Sequence, residues 1–110
     1  MADYVGFGVK VTVGENGVSQ TEITIANKKY HSEKITNILD SVEEDLQEIQ
    51  QKVNESQGAN EKELIKIIHV YKKTVNPIDR LKLLHQLVQI GADMTTIAVN
   101  IIDIKNKLGL

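Results

Sequence analysis

The chain has 110 residues, enough for one domain with a modest core and too few for two independent ones. Apolar residues make up 41 % and charged residues 25 %, ordinary globular values that argue against global disorder. The net charge of −2 gives no general pull toward nucleic acid or an anionic membrane, and the absence of cysteine excludes disulfides, thiolate zinc sites and a cysteine nucleophile.

Residues 1–11 lack the basic start and continuous apolar run of a signal peptide. The longest apolar-rich stretch, Ile97 to Ile104, is interrupted by Asn100 and Asp103 and is too short to span a bilayer. The sequence therefore reads as that of a cytoplasmic protein with no membrane partner. Lysine outnumbers arginine twelve to one, a bias expected of an AT-rich bacterial or phage gene.

Tyr4 to Val13 alternate, with Val5, Phe7, Val9, Val11 and Val13 on one face, and predict a half-buried strand. Gly14 to Gly17 is a turn signal, and Val18 to Ala26 a second strand, giving a β-hairpin over 4–26. A three-residue loop with Gly17 left-handed would pair Val9 with Ile23 and Phe7 with Ile25, keeping the apolar side chains on one face. Gly6 and Gly8 lie within this strand rather than opening a helix, so they mark a bulge or close contact and not a phosphate loop.

Asn27 to His31 reads as a link, with Ser32 as the cap of a first helix running to Gln57. Along it Ile35, Leu39, Val42, Leu46, Ile49 and Val53 step by four and three, a coiled-coil-like seam for packing against another helix in this chain or another. Asn60 and Glu63 suggest a capping box for a second helix, which carries Leu64, Ile67, Ile68 and Tyr71. Asn76 and Pro77 then cap and start a third helix, apolar over much of its circumference and the best candidate for a buried centre. Asp93 can cap a fourth element, where Met94, Ile97, Ile101, Ile104 and Leu108 again step by three and four. Its β-branched residues leave a strand open, but Lys105, Lys107 and Gly109 favour a helix end.

The pattern predicts an α+β fold in a single domain, an N-terminal hairpin followed by a bundle of three to four helices over 32–108. Net charge is −5 over 33–57 and +3 over 61–90, which suggests an acidic first helix lying antiparallel to a basic second and third.

Catalytic chemistry finds no support, and no cofactor or metal is implied. His31, His69 and His85 lack partners at metal-ligand spacing and read as surface or boundary residues. Glu43, Glu44, Asp45 and Glu48 lie beside the seam and read as a solvated flank. The serines have neither a nucleophile elbow nor a local base. One arginine and four aromatic residues argue against nucleic-acid binding through the lysine clusters, which would want bidentate and stacking contacts.

What remains is a small non-enzymatic protein–protein interaction module, an adaptor, regulator or inhibitor. Its expected partners are another protein and itself, as a homodimer or higher oligomer, through the six-residue seam. A small ligand or nucleotide held at an oligomer interface near Lys28, Lys29, Tyr30 and His31 is the alternative.

Overall fold

The computed structural model describes residues 22–26 and 28–110. The expected strand 4–13 and the turn at 14–17 lie outside the described residues. A two-stranded antiparallel hairpin, β1 (Glu22–Ile25) and β2 (Lys28–His31), precedes four helices. These are α1 (Ser32–Lys52), α2 (Ala59–Lys73), α3 (Pro77–Gly91) and α4 (Ala98–Leu108).

The described hairpin is formed within residues 22–31, whereas the hairpin expected over 4–26, with Val9 opposite Ile23 and Phe7 opposite Ile25, rests on residues outside those described. Residues 28–31 are a strand and not a link, pairing Ile23 with Tyr30 and Ile25 with Lys28. The turn was hidden because its first residue, Ala26, takes a left-handed φ of 50° that normally selects Gly or Asn.

All six seam residues are buried, from Ile35 to Val53, the last of them at the C-cap of α1. They join one apolar core with Ile23, Ile25 and Tyr30 of the hairpin and the inner faces of α2, α3 and α4. The seam thus meets helices of its own chain. The antiparallel partner that α1 packs against most extensively is α4, and the sequence had placed α2 and α3 there. The reason is visible in the side chains: Ile97, Ile101, Ile104 and Leu108 form a complete buried face on α4. That burial also overrides the β propensity of residues 95–104.

Helix ends explain the remaining shifts. α1 stops five residues short of Gln57 because Asn54 accepts from the backbone and hydroxyl of Ser56 at 3.0 and 2.8 Å, an Asx turn that competes with the helix. His31, not Ser32, occupies the cap position of α1. Gly58 is the cap of α2, and Glu61 folds back over it, so the expected capping pair is displaced by two residues. Asn76 caps α3 as expected, accepting from Ile78 and Asp79 with Pro77 in the first turn. A Cβ on Gly91 would sit 2.5 Å from Ile101, so glycine is what lets α4 approach the end of α3. Met94 and Ile97, not Asp93, hold the cap positions that start the last helical stretch.

No helix among the described residues is long and apolar enough to cross a membrane.

Candidate functional site

Lys28, Lys29, Tyr30 and His31 do not converge on one pocket. Strand alternation sends Tyr30 into the core and leaves Lys29 and His31 exposed on the opposite face. Lys28 shares the inner face and lies over Gly109 at the end of α4. The Tyr30 hydroxyl donates to the Leu108 carbonyl at 2.8 Å and sits 2.9 Å from His85 Nε2. One hydroxyl proton serves one acceptor, which places a proton on Nε2 of His85, donating to the Tyr30 oxygen. Burial lowers the pKa of His85 to about 4 and raises that of Tyr30 to about 12. The pair is therefore neutral at pH 7 and ties hairpin, α3 and α4 together.

His85 is in the core, where the sequence reading had put a surface or boundary residue. Its spacing could have shown this, since Leu81, His85 and Val88 fall four and three apart on the inner face of α3.

A second polar cluster joins α1 to α4. The buried Asn100 amide donates to Asp45 at 3.1 Å and to Glu48, and its oxygen accepts from Lys52 at 2.9 Å. Lys107 bridges Asp45 and Asp103 at 3.1 and 2.8 Å. Burial pushes the Asp45 carboxyl up from its ordinary pKa, and the Asp103 carboxyl beside it adds to the rise. Asp103 itself is held down by its hydrogen bonds to Asp45 and Lys107. Asp45 is thus buried in a helix interface, unlike the solvated flank that the sequence suggested, while Glu43 and Glu44 are exposed as expected. The arrangement fixes how α4 sits on α1. It is closed on itself, and among the described residues no three His, Asp or Glu side chains gather as metal ligands.

The groups left open lie on the other side, around α2. Its outer face carries Lys62, Lys66, His69 and Lys73, all exposed, around the half-buried Ile65 and the exposed Val70. Lys72 continues the basic surface toward α1, where it donates to Gln50.

Beside it is a cleft of about 230 Å³ between α1, α2 and α3, lined by Glu43, Leu46, Gln47, Tyr71, Lys72 and Arg80. The tight α2–α3 connection builds it: Arg80, in the first turn of α3, reaches back to donate through Nε to the Thr74 carbonyl. This holds its guanidinium 4.8 Å from the Tyr71 ring centroid, a cation–π contact. Among the described residues no carboxylate pairs with Arg80 by a salt bridge. The Tyr71 hydroxyl is shielded from solvent and has no hydrogen-bond partner among the described residues. Burial raises its pKa, Arg80 opposes the rise, and Glu43 and Asp40 add to it, so it is a protonated donor.

The expected antiparallel relation of α1 and α2 is present, with Glu43 and Gln47 near Tyr71 and Gln50 and Asn54 near Ile65 and His69. Among the described residues no salt bridge joins them, and the acid of α1 that is paired, Asp45, goes to α4.

Comparison with protein-family models, with curated proteins and with solved structures finds no match.

Proposed function

We propose that this chain is a small non-enzymatic protein–protein interaction module, an adaptor, regulator or inhibitor of the cytoplasm, acting through its α2 surface. The observation that carries the reading is the composition of that surface. Four basic or titratable side chains surround Ile65 and Val70 on one helix, and the core takes none of them. Charged rims around apolar centres steer and orient protein partners. Against catalysis stands the state of the buried polar groups: His85, Tyr30, Asp45 and Asn100 are bound to one another or to backbone.

Recovery of partners from a lysate with the wild-type chain and with Lys66→Glu/Lys73→Glu tests the assignment. The α2 reading expects proteins that the wild type retains and the double variant loses, with both folding alike by circular dichroism. Equal recovery by the two would contradict it.

Self-association is a second reading, supported by a different face. Val99 and Ile102 lie three residues apart on α4 and are 76 % and 57 % exposed. Light scattering is expected to give a dimer or larger species for the wild type and a monomer for Ile102→Asp. A monomeric wild type at micromolar concentration would remove it.

A further inference from the structure

We propose that the cleft between α1, α2 and α3 is a receptor for a single carboxylate, the glutamate or aspartate side chain of a partner protein, received by Arg80, Lys72 and the Tyr71 hydroxyl. The inference rests on the interaction-module reading and names the chemistry that the partner brings.

Three observations meet at this place. Arg80 is the only arginine in the chain, and its guanidinium forms no salt bridge with a carboxylate among the described residues, while Nε fixes the plane of the fork on Thr74. A planar fork held in this way is suited to a bidentate carboxylate. Tyr71 is 4 % exposed and keeps a hydroxyl donor with no acceptor among the described residues, a state that buried polar groups rarely tolerate without a use. Lys72 stands at the rim and joins the cleft to the basic face of α2, so an acidic segment lying along that helix would reach the cleft without crossing a neutral zone.

The α1 wall limits what can enter. Glu43 lines the cleft, and Asp40 is close enough to act on Tyr71. The two acids offset the two bases, so the cleft carries no surplus positive charge for a dianion, and the planar fork of Arg80 selects the occupant. That disfavours a phosphate dianion and favours a carboxylate. Leu46 supplies an apolar floor, and Val75, beside Thr74 in the chain, is 88 % exposed and offers an apolar contact for the rest of the segment.

A lone arginine also gives a lone Nε–H signal in a proton–nitrogen NMR spectrum, a reporter that needs no assignment. The probes are a capped, leucine-rich peptide with glutamates on one face, the same peptide with glutamine in their place, and inorganic phosphate. The glutamate peptide is expected to move the Arg80 Nε–H signal saturably, and the glutamine peptide and phosphate to leave it in place. Arg80→Lys should weaken binding of the glutamate peptide about tenfold, read by fluorescence of a labelled peptide. Tyr71→Phe should weaken it several-fold with the fold intact. An unmoved signal, an equal response to the glutamine peptide, or a response to phosphate would overturn the proposal. Retention of lysate partners by Tyr71→Phe, lost in the α2 double variant, would overturn the cleft alone and leave the module standing.

Discussion

Tyr30 and Tyr71 are buried to the same depth, 5 % and 4 % exposed, and meet opposite fates. Tyr30 has a histidine on one side and a helix-terminal carbonyl on the other, so both its donor and its acceptor capacity are used. Tyr71 has an arginine over its ring and, among the described residues, no hydrogen-bond partner at its hydroxyl. The same contrast extends to the helices around them. Where α4 meets α1, Asn100, Asp45 and Lys107 satisfy one another. Where α2 meets α1 and α3, among the described residues Arg80 has no carboxylate in a salt bridge and the Tyr71 hydroxyl has no acceptor. Evolution has no stability reason to leave a buried hydroxyl unpaired, since the penalty is about 1–3 kcal/mol. One side of the molecule closes its buried polar groups on one another, and the other leaves a buried hydroxyl without an acceptor among the described residues.

Leu46 belongs to both sides, as core residue and as floor of the cleft. Leu46→Ala should have the largest effect, a loss of about 2–5 kcal/mol in denaturant unfolding. A loss below about 1 kcal/mol would mean that the cleft floor is not part of the packed core.

His85 comes next and reports on the closed side alone. Its pKa is about 4 in the folded chain against 6.5 when free, so the unfolded chain binds the extra proton as pH falls. Its contribution is complete above pH 6.5 and lost on acidification toward pH 4, about 3 kcal/mol in all. His85→Gln should flatten that part of the stability–pH curve. An unchanged slope in the variant would place the acid sensitivity elsewhere.

Asn100→Ala removes the donor to Asp45 and Glu48 and the acceptor for Lys52. We expect a loss of about 1–3 kcal/mol, with hydrogen exchange rising first in α4.

The smallest effect concerns the hairpin turn. A left-handed alanine stores about 1 kcal/mol of strain, so Ala26→Gly should be neutral or stabilise by up to about 1 kcal/mol. Clear destabilisation would contradict the turn geometry.

How much of this could be read from the sequence depends on the kind of signal. Apolar spacing carried the fold: every residue of the α1 seam is buried, as are Ile97, Ile101, Ile104 and Leu108 of α4. Pairing between elements was less legible, because α2, α3 and α4 all present apolar faces and spacing does not say which face meets α1. Charge pointed to α2 and α3, but exposed ion pairs contribute too little to choose a partner. The strand 28–31 was missed because its turn carries no Gly, and Asp45 and His85 because polar residues at core spacing were read as flank or surface, while Asn100 stood out only as a break in an apolar run. Arg80 and Tyr71 stand nine residues apart in sequence. Only the short α2–α3 connection, marked by Asn76 and Pro77, brings them together.

The contrast between the two sides is tested most directly by urea unfolding of Tyr30→Phe and Tyr71→Phe in parallel. Each substitution removes one oxygen and leaves the ring. Tyr30→Phe should lose about 1–3 kcal/mol, because the buried hydrogen bonds of the Tyr30 oxygen to His85 and to the Leu108 carbonyl are removed. Tyr71→Phe should match the wild type or exceed it by up to about 1 kcal/mol, because the hydroxyl removed was desolvated and unpaired. Equal losses in the two variants would show that Tyr71 is satisfied in the folded chain and would contradict the account.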